Sequence, residues 1–420
     1  NQFPSLWFQW DLVCGRAGLS ALSQTIFMLG QGVGAFICTS LADKYGRRPI
    51  HLITQGGLLV SCIAIVFINN IGGFIVLRFI VGAMQQSVAL TGYAILVEML
   101  ITDLRPLAGC LNGLSWTISL VALAPLGYLL QHFSWRYFQV TIIVVMSYAV
   151  LMICFMDESL RWLVANNKIQ QAEDIISKMC KANKTEFSKS RLALHQQMAK
   201  AKTKNELEMV MGKWTPVNEL QLLKPKAINS VTYYGLFLTS SNLSGNRFFN
   251  YFLNAVVELP SLLFVFIAVK RLDRRSVCGI SMIISGVALI ISGVFYIPGD
   301  KSAGSTSSVV FSLIGKFAIT ASFHGLFIYT PELFPTNMRN AGLGVGSSAA
   351  RIGGMVAPFS RLLSDVVIWG PRVVFSGGCL LAAILITLLP ETRGRPLLTT
   401  IEEMRAWKNI KSSTLELSIK

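Results

Sequence analysis

Of the chain's 420 residues, 53% are hydrophobic and only 14% are charged, with a mean hydropathy of +0.55. A water-soluble chain of this length needs roughly 25% charged residues to cover its surface, so a soluble globular enzyme is excluded. The net charge of +16 does not point to nucleic acid, because the basic residues lie between apolar runs rather than along one polar face.

Apolar runs of about twenty residues are long enough to cross a ~30 Å hydrocarbon core as helix. They are predicted at 21–42, 50–70, 73–97, 107–130, 136–156, 227–241, 247–269, 276–297, 307–330, 341–363 and 371–389. The run at 227–241 is weak. Basic connectors follow alternate runs: Lys44, Arg47 and Arg48; Arg105; Lys270, Arg271, Arg274 and Arg275; Arg339. The segment 157–226 and the tail from 390 are also rich in Lys and Arg. Placing this set in the cytoplasm gives one self-consistent orientation and leaves residues 1–20 external. With no initiator Met and no signal sequence, such a start is expected of a chain that lacks its first helix. In 157–226, Ala172, Ile175, Ile176 and Met179 recur at three- and four-residue spacing, which predicts short amphipathic helices.

The charges repeat. Glu98 precedes Arg105 by seven residues and Glu332 precedes Arg339 by seven, the first Arg followed by Ala108-Gly109 and the second by Ala341-Gly342. Glu158-Ser159 lies 60 residues after Glu98, and Glu391-Thr392 lies 59 after Glu332. A basic turn precedes each set, Asp43-Lys-Tyr-Gly-Arg-Arg48 and Lys270-Arg-Leu-Asp-Arg-Arg275. Capping of helix ends would place such charges but would not match their spacing in both halves. A parallel repeat of two helical bundles with a site between them near mid-membrane is therefore expected.

Asp43-Lys-Tyr-Gly-Arg-Arg48 resembles the loop between helices 2 and 3 of the major facilitator superfamily. Trp10-Asp-Leu-Val-Cys14, Glu158-Ser-Leu-Arg-Trp-Leu163 and Asn242-Leu-Ser-Gly-Asn246 with Val257-Glu-Leu-Pro260 are similar to marks of its organic cation, anion and zwitterion (carnitine) transporters. So are Tyr329-Thr-Pro-Glu-Leu-Phe-Pro-Thr336, the run Gly344–Gly354 and Leu389-Pro-Glu-Thr392. The resemblance covers roughly residues 7–405. Thr39, Asp157, Lys270 and Asp273 depart from the family pattern.

The resemblance implies an all-α polytopic membrane protein with the major facilitator fold of 6+6 helices. Here helix 1 is missing and helix 7 is shortened, with about fifteen apolar residues between Pro225 and Asn242. The expected divisions are an external loop end (1–20), an N-terminal bundle of helices 2–6 (21–156) and a cytoplasmic inter-bundle loop (157–226). A C-terminal bundle of helices 7–12 (227–389) and a cytoplasmic tail (390–420) complete them, in a multi-pass protein of the plasma membrane.

Three ionisable residues lie about ten positions from the end of a run: Glu258, Lys316 and Arg351. At that depth a charge costs several kcal/mol, so each is either half of a buried ion pair or part of a binding cavity. Cation transporters of the family usually carry Asp at the position of Arg351, while anion and carnitine-type members resemble this chain. The implied substrate is an organic anion or a carnitine-like zwitterion, since a guanidinium pairs bidentately with a carboxylate. Tyr233, which matches a position the family implicates, and Phe323 add aromatic faces that attract ammonium groups. His324 and Arg78 read as structural.

Without a phosphate-cradling G-x-x-x-x-G-K-[ST] motif or a catalytic constellation, the sequence predicts no enzyme, no cofactor and no metal site. The eight scattered cysteines read as small core residues. Secondary transport by alternating access is the mechanism that remains, with a small organic ion, the bilayer and, for a symporter, a coupling ion as partners. In the outward-facing state a cytoplasmic gate is expected in which Asp43, Arg47, Arg48, Glu98, Arg105, Glu158 and Arg161 bridge to Glu332, Arg339, Glu391 and Arg393. The competing readings are an organic cation transporter, a sugar porter, which shares the basic turn and the Pro-Glu-Thr ending, and a truncated isoform that does not transport.

Overall fold

The computed structural model describes residues 10, 17–100, 105–148, 151, 156–166, 168–184, 187, 219–239, 247–295, 303–333, 339–367 and 369–392. Most of these are helical, and no strand occurs among them. The first helices are α1 (Ala17–Tyr45), α2 (Arg47–Phe67), α3 (Ile71–Met99), α4 (Arg105–Leu129) and α5 (Trp135–Met146). Two short ones follow, α6 (Leu160–Ala165) and α7 (Ile169–Asn183). Then come α8 (Glu219–Thr239), α9 (Arg247–Val256), α10 (Glu258–Arg271), α11 (Arg274–Val294) and α12 (Ala303–Leu333). The last are α13 (Arg339–Val356), α14 (Phe359–Val366) and α15 (Gly370–Thr387).

Seven stretches among the described residues are long and apolar enough to cross a bilayer: Gly18–Tyr45, Arg47–Phe67, Ile71–Met99, Phe248–Val269, Arg274–Val294, Thr306–Thr330 and Gly370–Thr387. Their outer faces are apolar rather than polar, with Phe36, Ile53, Phe67 and Ile384 all exposed. That inversion is what lipid as solvent selects.

Prolines account for where the helices depart from the apolar runs. The run 247–269 is interrupted at Val257, because Pro260 has no N–H to donate to the carbonyl of Val256 four residues back. The run 341–363 is likewise divided into α13 and α14, since Pro358 cannot donate to the carbonyl of Gly354. By contrast α8 continues through Pro225 and spans 21 residues, about 31 Å of helix. It is therefore longer than its apolar stretch, the added turns running from Glu219 to Lys226 and including Glu219, Gln221, Lys224 and Lys226. Of the run 136–156, α5 covers the first part, and residues 149–150 and 152–155 lie outside the described residues.

Packing divides the chain into two compact units, one of residues 1–32, 113–138 and 217–420, the other of residues 33–112 and 139–216. The boundaries fall inside α1, α4 and α5. In the second unit α2 packs along α3, and the Ser87 hydroxyl donates to the Gly34 carbonyl at 3.2 Å. Trp162, Leu163, Ala172 and Ile175 form a small core under α6 and α7, joined by Ile176 and Met179 as the spacing predicts.

In the first unit α11 packs against α12 and α15, and α8 packs against α13 and α15. Small hydroxyl residues let these backbones approach. Ser285 donates to the Gly315 carbonyl at 3.0 Å, and Ser292 and Ser308 each donate to the other's carbonyl at 2.8 Å. In hydrocarbon such helix-to-helix bonds contribute about 0.6–2 kcal/mol each, alongside close van der Waals packing. Met282, Leu326, Tyr329 and Ile386 fill the space between them.

Candidate substrate site and charged turns

The break at Val257 places Glu258 at the first residue of α10. Its side chain is fully buried. Lys316 from the middle of α12 is also fully buried and brings Nζ to 3.0 Å from Glu258 Oε1. The Tyr233 hydroxyl on α8 donates to the same oxygen at 2.6 Å. The two acceptor oxygens are used unequally, for Glu258 Oε2 is buried and has no hydrogen-bond partner. The Lys316 ammonium is close to its carboxylate but off-axis for a hydrogen bond.

Aromatic rings enclose that ammonium. Nζ lies 3.5 Å from the centroid of the Tyr233 ring and 5.0 Å from that of Phe237. Phe323 stacks on the Tyr233 ring, with centroids 5.1 Å apart and planes inclined by 22°. His324 is turned edge-on to Phe323 at 6.2 Å.

Tyr233 also meets Tyr234 edge to face at 5.2 Å, and Tyr234 carries the cluster to a second charge. Arg351 on α13 donates from one terminal nitrogen to the Tyr234 hydroxyl at 2.8 Å and to Gln31 Oε1 on α1 at 2.9 Å. Arg351 Nε is buried without a partner. Both acceptors are neutral, so the guanidinium keeps its full charge, whereas the charges of Glu258 and Lys316 cancel. The five residues expected at the site, Tyr233, Glu258, Lys316, Phe323 and Arg351, thus fall into one connected cluster. Gln31, Tyr234 and Phe237 belong to it and were missed. One of the two Gln residues in an apolar run was the signal for the first, and the Tyr-Tyr pair was the signal for the second.

The charged turns form two copies of one arrangement, each inside a single unit. Glu158 accepts from the backbone amides of Arg47 at 3.0 Å and Arg48 at 3.2 Å, capping α2. Glu391 accepts from the amides of Arg274 and Arg275, both at 3.0 Å, capping α11. A carboxylate there meets unsatisfied amides and the positive end of the helix dipole together. The Arg47 side chain reaches Glu98 at 3.2 Å and Asp43 at 2.8 Å, and Arg274 Nε reaches Glu332 at 3.2 Å. The Ser159 hydroxyl donates to Glu98, and its counterpart Thr392 donates to Glu332 at 2.6 Å. Gly46 permits the first turn: its φ is +115°, and a Cβ there would lie 2.5 Å from Glu158 Oε2.

Of the expected gate residues, Asp43, Arg47, Arg48, Glu98, Glu158, Glu332 and Glu391 take part in these turns, and Arg161 is exposed. The side chains of Arg105 and Arg339, and all of Arg393, lie outside the described residues. Arg274, Arg275, Ser159 and Thr392 were missed, although aligning the two basic turns points to the first pair. Among the described residues no group of His, Cys, Asp or Glu is arranged to hold a metal ion.

A family model described as "Sugar (and other) transporter" matches residues 15–404. The chain is 31% identical over 410 residues to an organic cation transporter protein of Drosophila melanogaster, covering 94% of this chain and 73% of that one. To the human organic cation/carnitine transporter 2 it is 30% identical over 411 residues, covering 96% and 72%. To solute carrier family 22 member 6-A of Xenopus laevis it is 30% identical over 418 residues, covering 97% and 73%. Among solved structures, the inward-open xylose transporter XylE of E. coli superposes with a TM-score of 0.72 at 15% identity, over 93% of this chain and 90% of that one. The human organic anion transporter MFSD10 superposes with a TM-score of 0.60 at 15% identity, over 87% and 83%. These two likenesses concern the fold. The family match over residues 15–404 and the relatives at 30–31% identity make this chain a multi-pass member of the sugar (and other) transporter family of the major facilitator superfamily, in its organic cation, anion and carnitine transporter branch.

Proposed function

We propose that the protein moves small organic anions or carnitine-like zwitterions across the plasma membrane as a secondary transporter. One observation carries this reading: Arg351 is held by neutral oxygens, while Glu258 is matched by Lys316. The cluster therefore bears one net positive charge at mid-membrane depth. A substrate carboxylate would take the guanidinium as a bidentate partner and offset a burial cost of several kcal/mol. Gln31 and Tyr234 orient the fork without neutralising it.

The bundles at 21–156 and 227–389 would rock about this site, with 157–226 and 390–420 in the cytoplasm and a coupling ion for symport. The matched turns support the gate. Each ties a helix start to the ends of neighbouring helices, which would let a bundle move as a body rather than bend. An exposed ion pair contributes only about 0–1 kcal/mol, so the gate would act as a network.

Uptake of labelled carnitine, benzoate and tetraethylammonium by cells expressing the protein tests the reading. Saturable benzoate or carnitine uptake that Arg351→Gln abolishes, at equal surface expression, is the expected result. Saturable uptake of tetraethylammonium alone would overturn it.

A further inference from the structure

A serine or threonine inside a helix ordinarily returns its hydroxyl to its own backbone three or four residues back. Thr117, Ser119 and Thr330 do so with the carbonyls of Gly113, Ser115 and Leu326. Four serines along the contact between α11 and α12 instead reach across to the other helix. Ser292 and Ser308 each donate to the other's carbonyl at 2.8 Å, Ser285 donates to the Gly315 carbonyl at 3.0 Å, and Ser322 donates to the Cys278 carbonyl at 3.4 Å. All four are buried, with exposure of 1% at most.

These rungs fall at residues 278, 285 and 292 of α11 and at 322, 315 and 308 of α12. Every step of seven residues up one helix is answered by a step of seven down the other, so the pair is antiparallel and keeps one register along the seam. A seven-residue period is the one that holds a single helix face against its partner over several turns. The surfaces also interlock: a Cβ at Gly315 would lie 3.1 Å from Leu289 Cδ2, and one at Gly325 would lie 2.8 Å from Cys278 Sγ. The residues that follow two of the rungs on α12 are Lys316 and Phe323, both in the candidate site. One residue corresponds to about 100° of helix rotation, so the seam sets the direction in which those two side chains point.

We propose that Ser285, Ser292, Ser308 and Ser322 are positioning residues that hold α11 and α12 in one register throughout the transport cycle, so that α12 moves only as half of a two-helix hairpin. Their effect on uptake rests on the cluster being the substrate site; the register does not.

The hydroxyl oxygens of Ser292 and Ser308 are 3.2 Å apart, which puts thiols at these positions within disulfide reach. Membranes of cells expressing Ser292→Cys/Ser308→Cys are oxidised with copper phenanthroline, and linked peptides are read by mass spectrometry. Ser292→Cys/Ser312→Cys, displaced by one turn or about 6 Å, reports slippage. The aligned pair is expected to link and the displaced pair not to. Fixing a distance that does not vary removes no state from the cycle, so oxidation of the aligned pair should change uptake of labelled benzoate or carnitine by less than about twofold. In the same chain Ser285→Ala and Ser322→Ala should raise KM at equal surface expression, and oxidation of the aligned pair should lower it again.

Failure of the aligned pair to link overturns the proposal, as does equal linking of the displaced pair. Loss of uptake on oxidation that reduction restores overturns it too, and so does a KM that the alanines leave unchanged. Should the cysteines in the seam prevent folding, Ile290→Cys/Val310→Cys carries nitroxide labels on side chains exposed outside it. A single inter-label distance, unchanged by benzoate or carnitine, is then the supporting result, and two distances the refuting one. Absence of uptake by wild type would remove the anion reading above, while the cross-links and the label distance would still decide the register.

Discussion

Removing the carboxylate of Glu158 or of Glu391 should release one helix start in each repeat by the same amount. Glu391 takes the Arg274 amide on one oxygen and the Arg275 amide on the other, both at 3.0 Å. Glu158 takes the Arg47 amide at 3.0 Å and the Arg48 amide at 3.2 Å. Hydrogen bonds to a charged acceptor contribute about 1.5–3 kcal/mol each, but both sites are only partly buried and water replaces part of the loss. The favourable interaction with the helix dipole, about 0.3–1 kcal/mol, disappears as well. A local loss of about 2 kcal/mol is therefore expected for Glu158→Ala or Glu391→Ala, which is about a 30-fold rise in the opening equilibrium. Hydrogen–deuterium exchange of peptides covering 46–50 and 273–277, read by mass spectrometry in detergent, measures it. Each variant should accelerate exchange at its own helix start and leave the other unchanged. Gln in place of Glu should fall between, since an amide keeps one acceptor and turns an N–H donor toward the second amide. Unchanged protection in both Ala variants would refute the capping argument and the structural repeat built on it.

Two further substitutions test local geometry. Gly46→Ala must place a side chain at φ +115° and against Glu158 Oε2, so a loss of about 1–3 kcal/mol is expected and shows as a lower melting temperature than Gly56→Ala, whose added Cβ meets open space. Tyr233→Phe removes the 2.6 Å donor to Glu258 and keeps the ring beside Lys316. A melting-temperature drop corresponding to about 1–3 kcal/mol is expected, and a silent substitution would show that the hydroxyl does not hold the carboxylate.

Much of the fold was legible in the sequence because its signals are local or periodic. Runs of twenty apolar residues define spans without reference to any partner, and the Glu-to-Arg spacing repeats along the chain itself. Helix continuity was less legible. The sequence presents Pro225, Pro260 and Pro358 alike, yet α8 runs through the first while the other two coincide with breaks. The proline itself is the same at all three positions, so the difference is not carried by that local signal.

At the candidate site the division is sharper. Depth along a helix is counted in residues, so Glu258, Lys316 and Arg351 could be singled out from sequence as costly charges. Which of them neutralise one another depends on three separate helices, α10, α12 and α13, and on the rotation of each about its axis. Sequence reasoning therefore left Glu258 open to a cationic partner, and the fold assigned it to Lys316. The sequence alone determined that the chain is a membrane-embedded helical repeat with charges at fixed depths and at the turns. Tertiary structure alone decided which charges cancel and which remains, because pairing is set by ångström-scale distances between residues 25 to 320 positions apart.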